Sequence, residues 1–128
     1  MATQSDVRRI SLSFPETVEE MDRFAFSVRN GKKAKAFVWA WMERVEPGAP
    51  RVGRPDVVAI RVDRHEKQEL LDSDDEKFFT EPHYNNYPAI LVRLPNIDVA
   101  ELRELLTDAW RIQAPRKLAA AFEVTARA

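Results

Sequence analysis

Asn30-Gly31 stands between two runs of alternating side chains, and no other feature restricts the fold of this chain as tightly. Asn-Gly tolerates positive φ at both central positions of a two-residue turn, so this dipeptide between alternating runs is the strongest short-range signal for a β-hairpin. Upstream, Phe24, Phe26 and Val28 alternate with Ala25, Ser27 and Arg29, the pattern of a strand with one buried face. Downstream, residues 35–45 place Phe37, Trp39 and Trp41 on one face and Ala36, Val38, Ala40 and Met42 on the other. The smaller residues predict close packing by a helix, and the aromatics a wide apolar surface on the opposite side.

The remaining elements follow from period and punctuation. Residues 6–14 carry Val7, Ile10 and Phe14 at helical spacing, with Ser5 as the expected N-cap and Pro15 as the stop. Thr17-Val18-Glu19-Glu20 has capping-box spacing and predicts a further helical turn. Residues 46–55 hold three of the eight prolines and two of the three glycines, and read as a loop or wing. Strands are expected over 56–62, briefly over 77–80, and over 89–94. Asp63 and Asp98, each followed three residues later by Glu, open two more helices. Val99, Leu102, Leu105, Leu106, Ala109, Trp110 and Gln113 recur at three- and four-residue spacing along the second of these. Pro115 suits the first turn of a final helix, whose stripe takes in Leu118, Ala121 or Phe122, and Thr125. The fold class is therefore α+β: one domain over 1–128, with an antiparallel sheet of about five strands and helices packed mainly on one face.

Composition narrows function by exclusion. With no cysteine, the chain has no disulfide, thiolate nucleophile or zinc-thiolate site. No apolar run approaches the roughly 18 residues of a membrane span, and residues 1–6 are polar, so the expectation is a cytoplasmic protein without membrane association. The net charge of −1 hides a segregation. Residues 23–54 hold eight basic side chains against Glu43 and Glu46, whereas residues 63–81 hold eight acids against Arg64, Lys67 and Lys77. A polyanion site therefore belongs in the first half of the chain.

Two groups stand out as candidate sites. Arg29, Lys32, Lys33 and Lys35 flank the hairpin tip, where cations suit phosphate contacts; the same residues also serve simply to keep an edge soluble. His83, Tyr84 and Tyr87 form a loop that either lines a ligand pocket or packs on the sheet edge. Asp72, Asp74, Asp75 and Glu76 lack the glycine of a compact calcium loop and read as a solvated face, so no metal or cofactor is expected. Trp39, Trp41 and Trp110 read as core. His65 and His83 are the only histidines, and no Gly-rich phosphate loop, HExxH or nucleophile elbow is present. No catalytic residue is assigned.

Residues 78–93 run from Phe78-Phe79 through Pro82-His83-Tyr84, the turn Asn85-Asn86 and Tyr87-Pro88-Ala89 into Ile90-Leu91-Val92. This segment resembles the signature of the MmcQ/YjbR family. Other landmarks fall in family order: Leu12-Ser13-Phe14-Pro15, Phe37-Val38-Trp39, Val62-Asp63, Asp108-Ala109-Trp110 and Pro115-Arg116-Lys117. The departure is Asn85-Asn86, where the family often has a glycine-rich turn; asparagine tolerates positive φ and preserves it. The resemblance implies a double-wing fold, a curved antiparallel sheet with projecting hairpins backed by helices, with a further relationship to frataxin. It also implies binding to duplex DNA, and no catalytic mechanism. The alternative is a non-catalytic domain of the same fold that binds a protein or small ligand and has no DNA affinity.

Overall fold

The computed structural model describes the backbone of residues 1–44 and 51–127 and the side chains of residues 1–41 and 55–122. Helix α1 (Gln4–Leu12) is followed by strands β1 (Thr17–Glu19), β2 (Ala25–Asn30), β3 (Lys33–Arg44) and β4 (Arg51–Arg61). Helix α2 (Arg64–Ser73), β5 (Phe78–Phe79), β6 (Ala89–Arg93), α3 (Val99–Gln113) and α4 (Arg116–Arg127) complete the α+β domain. The six strands form one antiparallel sheet in the order β1-β2-β3-β4-β6-β5.

The sixth strand is β1, at residues whose capping-box spacing predicts a helical turn. The Thr17 hydroxyl donates to the Pro15 carbonyl at 3.3 Å instead of capping a helix. Glu16 turns the chain with φ of 56°, and the free edge of β2 then accepts Thr17–Glu19 as a partner. The start of α1 also moves. Its N-cap is Thr3, in a reciprocal box with Asp6. Thr3 has an acid three residues on, whereas Ser5 has Arg8 there, so only Thr3 can satisfy both free amides. Residues 51–55, expected in a loop, belong to β4, and Arg51, Val52 and Gly53 pair with Arg44, Glu43 and Met42 at the end of β3. The register then shifts between Ala40 and Met42, and Pro55, which cannot donate to a ladder, falls in the irregularity. The rest of the expected loop, 45–50, lies outside the described residues.

A bulge in β3 rearranges the predicted faces. Ser27 pairs with Ala36 but Phe26 pairs with Val38, leaving Phe37 as the extra residue. Phe37 and Val38 consequently both enter the core under the helices, and Phe37 separates from Trp39 and Trp41. The helices pack against that one face. Val7 and Ile10 of α1, Leu70 and Leu71 of α2, Leu102 to Trp110 of α3 and Leu118 and Phe122 of α4 all meet it. Trp110 is fully buried between Phe14 and Phe122, with ring centroids at 5.7 and 5.0 Å, and its indole N–H donates to the Pro15 carbonyl.

The opposite face is apolar as well. Ala25, Ser27, Ala59 and Leu91 are all fully buried on it, so β2 has two buried faces and not the one that its alternation predicts. Trp39 pairs with Ala25 on one side and Ala59 on the other, and the two alanines leave room for the indole. Trp41, Val57, Ala59 and Leu91 make a second cluster, joined by Trp39, Phe79 and Tyr84.

Candidate functional site

The β2–β3 hairpin overhangs its sheet. The pairing of β3 with β4 begins at Val38, so Lys33 to Ala36 have a ladder partner only in β2. The turn itself is Gly31-Lys32, between the paired Asn30 and Lys33, with positive φ at Gly31 alone. A glycine at the first central position with an ordinary residue behind it has the pattern of a II′ turn, one residue later than Asn30-Gly31. Two long-range bonds brace the overhang. The Asn30 side-chain amide donates to the Gln113 carbonyl at 3.0 Å, and the Gln113 amide donates to the Ala36 carbonyl at 2.9 Å. The wing is thus fastened to the last turn of α3.

Arg29, Lys32, Lys33 and Lys35 are all exposed on this hairpin, and among the described residues none has an ion-pair partner. Three other basic residues of the segment 23–54, Arg44, Arg51 and Arg54, have side chains outside the described set.

The β5–β6 loop, residues 80–88, lies over the second face. Tyr84 lays its ring in the second cluster and its hydroxyl accepts from the Trp39 indole at 3.2 Å. The Tyr87 ring stands edge-on to both Trp39 and Tyr84, with centroids at 6.1 Å in each case, and Tyr87 remains 47% exposed. His83 is exposed and packs its ring against Tyr84. Between loop and hairpin opens a cleft of about 360 Å³. Its floor is Ala36 and Trp39, its aromatic wall is His83, Tyr84 and Tyr87, and Lys35, Arg23 and Gln113 supply the polar rim. The two groups singled out in the sequence therefore meet at one place, through Lys35. Trp39, expected in the core, is partly exposed and forms part of this cleft, whereas Trp41 and Trp110 are buried.

Lys67 was missed in the sequence, where it counts as one more charge on an acidic helix. It is only 6% exposed, and its ammonium donates to the carbonyls of Tyr84 and Tyr87, the latter at 2.8 Å. Burial, followed by the charge of Arg64, pushes its pKa below the ordinary lysine value. One lysine thus ties the tyrosine loop to α2. The signal was available: Lys67 precedes Leu70 and Leu71 by three and four positions, which puts it on the buried stripe. Gln113 continues the α3 stripe three and four positions beyond Trp110 and Ala109, but its bonds to the wing, like the place of Arg23, depend on contacts remote in sequence.

The acidic segment is held by local bonds and by Arg93 and Asn96, which donate to the Asp75 and Glu76 carbonyls. Asp72 accepts from Gln68, and Asp74 accepts from the Glu76 amide. Among the described residues, no three His, Asp or Glu side chains are placed to hold a metal ion. No described helix is long and apolar enough to cross a membrane.

The chain is similar to proteins of several bacteria. An uncharacterized protein of Mycobacterium tuberculosis is 38% identical over 127 residues, covering 95% of this chain and 96% of that protein. An uncharacterized protein of Mycobacterium bovis matches to the same extent. A crystal structure of a Deinococcus radiodurans protein with a DUF419 domain superposes with a TM-score of 0.66 at 19% identity, covering 88% of this chain and 78% of that one. A Pseudomonas syringae protein gives 0.58 at 16% identity, covering 88% and 99%. At those identities the two structures speak for the fold alone. The YjbR family profile matches residues 12–112, which include the hairpin, the tyrosine loop and most of α3, and the chain belongs to the YjbR family.

Proposed function

We propose that this YjbR-family protein binds nucleic acid, with the β2–β3 wing on the phosphate backbone. The observation that carries this reading is the set of four exposed cations, Arg29, Lys32, Lys33 and Lys35, on an overhanging hairpin where none is neutralised by a neighbouring acid among the described residues. Cations held in this way on a braced wing can replace the counterions of several phosphates without disturbing the core. A domain of net charge −1 needs its cations concentrated for such contacts, and this hairpin concentrates them. The second reading, a non-catalytic small-ligand- or protein-binding domain without DNA affinity, draws on the same net charge and on the cleft beside the wing.

Salt dependence separates the two. If all four cations contact phosphates, binding to non-specific duplex falls with salt at a log–log slope of about −3 to −4. Replacing Lys32 and Lys33 by alanine flattens that slope by about 2, with a change in stability of less than about 0.5 kcal/mol. A charge-matched control at Arg9 and Arg103, on α1 and α3, leaves the slope unchanged. Absence of salt-sensitive binding to either duplex or single strand at low ionic strength rules out the nucleic-acid reading, and equal behaviour of the two double variants moves the contact surface elsewhere.

A further inference from the structure

The cleft beside the wing differs from the wing in chemistry. Phosphate contact requires only cations, yet here Lys35 and Arg23 stand at the rim of a pocket built from indole and phenol rings. Trp39, Tyr84 and Tyr87 meet edge to face, with interplanar angles of 84° and 85°, so they form a corner and not a closed stack. Such a corner can receive a flat aromatic ligand against a ring face. Gln113 gives its amide N–H to Ala36 and keeps its side-chain oxygen for a donor group, and His83 adds a second polar edge. A volume of about 360 Å³ falls at the small end of ligand sites, which run from about 300 to 1,000 Å³. The pocket is also held in shape. Lys67 fixes the carbonyls of Tyr84 and Tyr87, and the Trp39 indole fixes the Tyr84 hydroxyl.

We infer that the cleft binds an unstacked nucleobase carrying a phosphate: the base lies against Tyr87 and Trp39, and Lys35 and Arg23 hold the phosphate. This rests on the nucleic-acid reading and sharpens it, because a base can reach those rings only when it is out of a duplex stack. The same chemistry is offered by a single strand and by a free mononucleotide. Arg23 is engaged with Glu20 at 2.5 Å, so Lys35 is the cation free to meet the ligand first.

The test compares three probes at low salt: a fluorescent single-stranded DNA 12-mer, an abasic strand of the same length, and the corresponding duplex. Adenosine monophosphate serves as competitor. The wild type should prefer the base-bearing strand to the abasic one by roughly 5- to 100-fold, the scale of one base–aromatic stack. Tyr87→Ala should abolish that preference without weakening the abasic strand, since the residue is half exposed and its loss leaves the Lys67 clamp intact. Lys35→Gln should weaken the base-bearing strand and the abasic strand alike. Competition by adenosine monophosphate identifies a free nucleotide as a sufficient ligand; base-dependent binding that it does not compete identifies the strand. Equal binding of abasic and base-bearing strands overturns the base site and leaves the wing intact. If no strand or duplex binds but the mononucleotide does, the wing reading falls and the base site stands. If nothing binds, both fall.

Discussion

The two faces of one sheet are buried in different ways. Toward the helices, twenty-two buried residues among those described form a continuous core from Ala2 to Ala114, sealed by four helices. On the other side, among the described residues, Trp41, Val57, Ala59 and Leu91 form the buried cluster, with Ala25 and Ser27 also buried, and what covers it from the described part of the chain is a loop. Helices cover a face with side chains alone, because their backbone polar groups are already paired. A loop brings unpaired amides and carbonyls, which need partners of their own. The β5–β6 loop finds them in its own turns and in Lys67. That difference leaves accessible aromatic rings and a cleft with Lys35 at its rim on the side the loop covers. Binding surfaces on loops held by a rigid scaffold follow the same logic.

Mutation of the helix-side core should have the largest effect. Trp110→Ala is expected to cost about 3–5 kcal/mol, since a fully buried indole between two phenylalanine rings leaves a cavity that α3 and α4 cannot close. Denaturant melts measure it; a loss below about 1 kcal/mol would mean that the two faces are not as unequal as described.

Lys67→Met probes the loop side. It removes a charged donor from two buried-side carbonyls and should cost about 1.5–3 kcal/mol. Amide hydrogen exchange should accelerate over residues 80–88 while α3 stays protected. Uniform acceleration would show that the loop and the helix core are one cooperative unit.

A smaller effect is expected from pH. With its folded pKa below the ordinary lysine value, Lys67 binds fewer protons folded than unfolded in the alkaline window between the two. Wild-type stability relative to Lys67→Met therefore rises as pH climbs through that window. At the acid end the sign differs in origin. The Arg8 guanidinium, which makes two 2.9 Å bonds to Glu19, holds that carboxyl below its usual range, and Arg9 with the Thr3 cap does the same for Asp6. Their contribution is present above the ordinary carboxylate pKa and is lost as pH falls through the folded one. Arg8→Ala should reduce the acid-limb dependence slightly, because the pair is largely solvated.

Local chemistry determined a good deal of this molecule. The alternation around Gly31, the Asp63 and Asp98 caps and the stripe from Leu102 to Trp110 each depend on neighbours within four residues, so hairpin, helices and α+β class were readable in the chain. Features set by contacts remote in sequence were not. The bulge at Phe37 is set by the pairing of β3 with β2, and it moved Phe37 off the face it was expected to share with Trp39 and Trp41. Strand β1 exists because β2 had a free edge, which outweighed the capping spacing of Thr17 to Glu20. The cleft joins Lys35, Tyr87 and Gln113 from three elements. The sequence supplied those residues and their chemistry, but only the packing of the β5–β6 loop across the second face decided that they meet.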